Sequence, residues 1–295
     1  MAAAAATTPN LFGFDAAAVP LDMCVEAEVL GVSVDFDMGG DTTRLPQPVA
    51  PLATSAQGLE LDVPADPANL KRVPVVCEAI RILKRDPTED FAVGAWVPGP
   101  FTLASMIVDV GALIMETRTA PEAVGSALDE LTDLLIDVAR SYHSAGADFL
   151  TVHEMGGSPG FIGPAAFEEL VLPRLQRLLA SLPSPRVLHV CGNTNMAIDL
   201  LATAGADALS VDQLNDIGKT RAALGASQVL LGNIDPVGVL SHGTRQEVRA
   251  AVDKARVAGV NAVWPGCDLM PQVPSENMIA MAEETHDPRP NQPGG

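Results

Sequence analysis

The sequence predicts an α/β fold, a (β/α)8 TIM barrel that can lack part of its first N-terminal unit. Three observations carry this expectation. Short apolar, β-branched runs alternate with longer amphipathic stretches along most of the chain, the pattern of parallel strands joined by crossover helices. A recurring punctuation closes one element and opens the next: Ala145-Gly146-Ala147-Asp148, Ala204-Gly205-Ala206-Asp207 and Ala258-Gly259-Val260-Asn261. Glycine is favoured just past a helix end because it takes the left-handed conformation freely. About seven such units within 295 residues, with no break in composition between them, suit one barrel better than an open sheet.

The strands are expected at Val32–Phe36, Ala92–Val97, Asp148–Val152, Val187–Val190, Ala208–Val211, Gln228–Leu231 and Ala262–Trp264. Helical spacing runs over Asp66–Lys84, which opens on Asp-Pro, a capping residue followed by a proline suited to the first turn. It recurs over Thr102–Met115, Pro121–Ser144, Pro164–Leu182, Thr194–Thr203, Asp216–Leu224, Thr244–Ala258 and Ser275–Thr285. Residues 1–286 read as a single domain. The Pro/Gly-rich end, Asp287–Gly295, reads as a flexible tail, and Met38–Val63, rich in Pro, Gly, Thr and Gln, as a surface excursion or hairpin near the barrel mouth.

A net charge of −19 argues against a nucleic-acid partner, since phosphate backbones are bound by basic surfaces. The run Met106–Met115 carries Asp109 and is too short to span a bilayer. The alanine-rich start lacks the basic and long apolar regions of a secretory signal. The expected setting is the cytoplasm, free of membrane. Four scattered cysteines, Cys24, Cys77, Cys191 and Cys267, read as free thiols or ligands, not as a disulfide framework.

The chemistry concentrates in His189-Val190-Cys191-Gly192-Asn193-Thr194 and Pro265-Gly266-Cys267-Asp268. In an extended segment, residues i and i+2 point the same way, so His189 and Cys191 share one face at the end of an apolar strand. Cys267 ends another apolar run. Barrel enzymes work at the C-terminal ends of their strands, and an imidazole with two thiolates suits zinc that keeps an open position. Asp212, ending the next strand, is the fourth candidate ligand and a catalytic candidate, because a carboxylate can leave when a thiol arrives. His153 and Glu154, in the polar strand end His153-Glu154-Met155-Gly156-Gly157, are the other catalytic candidates. Asn193, Asn233 and Asp235 are candidates for contacting the cofactor.

These residues, with Gly99-Pro100-Phe101-Thr102-Leu103-Ala104, Phe167-Glu168-Glu169-Leu170-Val171-Leu172-Pro173 and Gly232-Asn233-Ile234-Asp235-Pro236, resemble the uroporphyrinogen decarboxylase superfamily. Within it, the His-x-Cys…Cys set resembles the methylcobamide:coenzyme M methyltransferase branch, over about Asn10 to Glu284. The resemblance implies that His189, Cys191 and Cys267 bind Zn2+, with Asp212 where the family often has Glu. It also implies transfer of a methyl group from a methylcobamide on a partner corrinoid protein to a small thiol such as coenzyme M. Family members usually carry more residues, including a first strand and helix, before the segment resembling Phe12 to Asp37, and the decarboxylase's arginine-rich N-terminal signature is absent. His143-Ser144-Ala145-Gly146 lacks the Asp of the corrinoid-binding Asp-x-His-x-x-Gly, so the corrinoid is expected on a separate protein. Rival readings are a tetrahydrofolate acceptor, a uroporphyrinogen-decarboxylase-like lyase, and a non-catalytic scaffold; a homodimer is compatible with each.

Overall fold

In the computed structural model, which describes residues 1–36, 44–85 and 90–288, seven strands form one parallel sheet in strict chain order. They are β1 (Ala16–Val19), β4 (Ala92–Pro98), β5 (Phe149–Glu154), β6 (Arg186–Val190), β7 (Ala208–Val211), β8 (Val229–Ile234) and β9 (Ala262–Pro265). Two further strands, β2 (Val34–Asp35) and β3 (Gln47–Pro48), pair only with each other, antiparallel. Sequential order with every neighbour parallel is the barrel topology, in which each connection crosses over through a helix. Among the described residues the parallel sheet thus has seven strands where a full (β/α)8 barrel has eight.

The first strand differs from the expectation. Val32–Phe36 is not in the parallel sheet; its middle residues belong to the small antiparallel ribbon. The first sheet strand is instead Ala-Ala-Ala-Val at 16–19, paired in register with Ala92–Ala95. Alanine has little strand propensity of its own, so nothing local marked the segment; pairing with β4 and burial of Ala17 and Val19 hold it extended. The excursion expected over Met38–Val63 contributes β3 and a stretch through Leu45, Pro46 and Gln47 beside the central cavity. Residues 38–43 of it, and residues 289–295 of the expected tail, lie outside the described residues.

The helices follow the expected spans with breaks that have local causes. The expected Thr102–Met115 helix is two, Pro100–Ile107 and Val110–Thr119, because Asp109 leaves helical geometry and caps the second through Ala112 N–H. Pro164–Leu182 is interrupted by a π-helical turn, Phe167–Val171, just ahead of Pro173, whose ring and missing N–H disturb the helical ladder. Thr194–Thr203 shrinks to Ile198–Ala202. Arg245–Ala258 starts at a reciprocal Thr244–Glu247 capping box and stops at Gly259. The longest helix, Pro121–Ser144, buries Leu128, Leu131, Leu134 and Leu135 against the sheet; each such leucine stabilises the fold by about 2 kcal/mol. Among the described residues no helix is long and apolar enough to cross a membrane.

Strand alternation sorts the remaining side chains. Phe149, Val187, Ala208, Leu231 and Trp264 pack together inside the barrel. One step nearer the C-terminal ends, the inward positions turn polar: His153, His189 and Ser210 stand at matching register on three adjacent strands.

Candidate metal centre

His189, Cys191 and Cys267 converge at the C-terminal ends of β6 and β9, with their ligand atoms all within 4.8 Å of one another. His189 Nε2 lies 3.2 Å from Cys191 Sγ, and the two sulfurs are 2.9 Å apart. Three local features aim them together. His189 is inward by strand alternation, and its Nδ1 is 2.9 Å from Ser210 Oγ on the neighbouring strand. Such a partner fixes ring orientation and leaves Nε2 for a ligand. The chain then turns at Gly192, whose φ of 78° is left-handed and disfavours any residue with a Cβ. Finally, Ser158 Oγ donates to the Cys191 carbonyl at 2.6 Å. Among the described residues the cluster holds one imidazole and two thiols, a donor set that fits zinc.

The two thiols share their protons unevenly. Cys267 is drawn down to about 5, first by the Cys191 hydrogen bond and further by His189, against the opposing effect of burial. Cys191 is pushed up by the same bond and by burial. One thiolate is therefore favoured in the pair, the form in which sulfur binds metal.

The family profile for uroporphyrinogen decarboxylase (URO-D) matches residues 1–288. The chain belongs to the uroporphyrinogen decarboxylase family. Among family members it is similar to methylcobamide:CoM methyltransferase MtaA of Methanosarcina barkeri, 30% identical over 95% of this chain and 82% of the relative. MtbA of Methanosarcina acetivorans is 30% identical over 96% and 83%. The uroporphyrinogen decarboxylase of Geotalea daltonii is 27% identical over 94% and 81%. A solved methyltransferase structure from Methanosarcina mazei superposes with a TM-score of 0.89 at 29% identity, covering 97% of this chain and 84% of that one. These relatives bear out the sequence expectation of a methyltransferase and of a TIM-barrel fold.

The other expected site residues are distributed around this triangle in different ways. Asp212 lies outside the triangle; its carboxylate accepts from Gly192 N–H at 3.0 Å and Leu214 N–H at 2.8 Å, so it shapes the turn that carries Cys191. His153 does face the site. Its ring is 5.1 Å from that of His189, stacks on Trp96 at 4.8 Å, and has Nδ1 3.9 Å from Asp268 Oδ1. Burial first, and His189 second, hold it well below the usual histidine range. Glu154 points away from the mouth and is fully buried. Its oxygens accept from Phe101 N–H at 3.1 Å, Thr102 Oγ1 at 2.6 Å and Gly157 N–H at 2.9 Å. It ties the Gly99-Pro100-Phe101-Thr102 loop to the end of β5, and burial raises its carboxyl despite these bonds.

Asn193 is exposed at the mouth, bonded to Asn195. Asn233 donates to the carbonyls of Asp212 and Asn215, and Asp235 caps the Pro236–Ser241 turn through Val237 and Gly238 N–H. Two residues escaped the sequence reading. Ser210 supports His189, and its only signal was a hydroxyl in the apolar run Ala208–Val211. Asn215 is buried and bonds Thr194 through Oδ1, and the Gly192 and Asp212 carbonyls through Nδ2, locking two strand-end loops together.

Proposed function

We propose that this chain transfers a methyl group from a methylated corrinoid on a partner protein to a thiol held at the His189–Cys191–Cys267 triangle. The observation that supports it is the triangle itself, three soft or borderline donors at strand ends with an open side. Zinc bound there would keep an acceptor sulfur deprotonated yet electron-rich at neutral pH. His189, held by Ser210, presents Nε2; Cys191 and Cys267 supply the thiolates. Asp212 keeps Cys191 in place through Gly192, and His153 and Trp96 wall the site against water. The acceptor sulfur takes the methyl carbon in line, the cobalt–carbon bond breaks with its electron pair left on the corrinoid, and the thiol proton goes to solvent. Coenzyme M is the thiol named for the Methanosarcina relatives. We place this activity in the cytoplasm, where the four free cysteines would stay reduced.

The test is metal content of the purified protein beside a Cys191→Ser, Cys267→Ser variant, with demethylation of methylcobalamin by thiols on the same samples. About one zinc per chain, lost in the variant together with thiol-dependent demethylation, is expected. Absence of zinc in the parent protein would remove the basis of the proposal.

A further inference from the structure

The segments that follow β5, β6, β7 and β8 are tied into one rim beside the triangle. Gly160, after β5, packs so closely on the segment after β6 that a Cβ there would lie 2.6 Å from the Asn193 carbonyl oxygen. Asn195 reaches the segment after β7, donating to the Leu214 carbonyl at 3.1 Å and accepting from Asp216 N–H at 3.0 Å. Asn233, near the end of β8, donates to the Asp212 and Asn215 carbonyls of that same segment. Each segment exposes one large apolar side chain: Phe161 at 60%, Met196 at 72%, Leu214 at 60% and Val237 at 46%. Residues 155–163, 191–197 and 213–215 contain no Asp, Glu, Lys or Arg, in a chain where 19% of residues are charged and the net charge is −19. The acids at the edges of the rim are committed to backbone. Asp216 accepts from Lys219 N–H, and Asp235 from Val237 and Gly238 N–H. A single exposed apolar side chain needs no explanation. Four on consecutive strand-end segments, with charge removed around them, have the composition of the core of a protein–protein interface.

We propose that this rim is the docking face for the protein that carries the methylated corrinoid, and that it meets a carrier face equally poor in charge. The inference rests on the methyl-transfer reading of the triangle and adds where and how the donor docks. A methyl carbon must come within about 3–3.5 Å of the acceptor sulfur before it transfers. The carrier therefore has to settle on the strand ends around Cys191 and Cys267, and on the β5–β8 side it meets the rim. Docking face and ligands share one backbone: Met196 lies five residues after Cys191, and Ser158, just ahead of Phe161, holds the Cys191 carbonyl. A carrier pressing on the rim is thus in register with the sulfurs. Contact of this kind draws on apolar burial, not on charge steering, so salt changes it little. A second copy of the chain seated here would cover the triangle and exclude the donor.

The experiment gives the full chain, loaded with zinc, two methyl donors: free methylcobalamin and a methylated corrinoid protein purified from Methanosarcina barkeri. Coenzyme M is the acceptor. Met196→Asp and Leu214→Asp are each expected to lower kcat/KM for the carrier about tenfold or more, and to leave that for free methylcobalamin within about twofold. Met196→Leu, which keeps the apolar surface, is expected to match the parent protein. With the carrier, kcat/KM of the parent protein is expected to change less than about threefold between about 0.05 M and about 0.5 M salt. A second readout needs neither metal nor turnover: binding of the carrier to metal-free protein by sedimentation velocity, weakened by the same two aspartates. Four results overturn this inference and leave methyl transfer standing. They are equal losses with both donors, no loss with the carrier, a steep fall with salt, or a carrier that the parent protein neither binds nor demethylates while it still uses free methylcobalamin. A dimer of the parent protein that Met196→Asp dissociates assigns the rim to a second copy and overturns it as well. Transfer from neither donor overturns the methyl-transfer reading and this one with it.

Discussion

Two buried polar clusters flank the barrel, and they are built on opposite rules. At the ends of β6 and β9, His189, Cys191 and Cys267 crowd together, with Cys267 in the wall of the central cavity. Near the segment after β1, Arg72 closes on Asp22 and Glu28, and Tyr142 bonds Glu26. Arg72 joins Asp22 and Glu28 and also lies 4.8 Å over the Phe36 ring. Tyr142 donates to Glu26 Oε1 at 3.0 Å. The first cluster has soft or borderline donors of a kind that could hold a metal; the second spends its charges internally, which holds the segment carrying Pro20–Met23 against the helices behind it. Burial of titratable groups therefore does not by itself mark a site. An unfilled side among convergent ligand atoms does.

Removing Arg72 separates the two clusters most strongly. Arg72→Met leaves Asp22, only 8% exposed, and Glu28 without their cation. Breaking a buried pair in this way costs about 3 kcal/mol or more. The expected result in urea unfolding is a loss of that size with zinc content unchanged. A variant that kept its stability but lost metal would merge the two clusters into one functional unit.

Glu26 gives the next effect, and it depends on pH. Burial, the largest influence, raises its carboxyl from 4.5 to about 7, and its Oε2 has no hydrogen-bond partner among the described residues. The folded state therefore holds a proton that the unfolded chain has released between about pH 4.5 and 7. Stability is greatest at the low end of that window and declines as pH rises through it, by about 3 kcal/mol in all from this group. Glu26→Gln cannot ionise, so the variant is expected to match the parent protein near pH 5 and to exceed it by about 2 kcal/mol at pH 8, after about 1 kcal/mol for the unpaired amide. Unfolding by urea at the two pH values checks it, and a parallel shift of parent and variant would show that Glu26 is not the titrating group.

The open cluster was legible in the chain and the closed one was not, for physical reasons. His189 and Cys191 could be placed on one face because strand alternation is local, and Cys267 joined them because strand ends meet in a barrel. Thr244 began its helix where the sequence placed it, whereas the breaks at Asp109 and ahead of Pro173 were not anticipated, although each has a local cause. The strand Ala16–Val19 was hidden, since alanine reports no preference that pairing with β4 does not impose. Asp212, a fitting fourth ligand by position, is occupied by two backbone N–H groups that no sequence pattern announces. Ser210 depended on register: one step along β7 and its hydroxyl would miss His189.

That dependence makes Ser210 the finest probe of the open cluster. Ser210→Ala removes the partner of His189 Nδ1 while leaving all three ligand atoms in place. Ser210 is buried, so the loss of one hydrogen bond costs about 1 kcal/mol of stability. The imidazole is then free to change tautomer or tilt, and metal affinity is expected to fall about 10- to 100-fold, the usual worth of such a partner. Competition with a chelating dye measures it. Ser210→Thr, which keeps a hydroxyl, should recover part of the affinity. If alanine and threonine bound zinc as the parent protein does, the hydrogen bond would be incidental, and His189 would be oriented by packing against His153 alone.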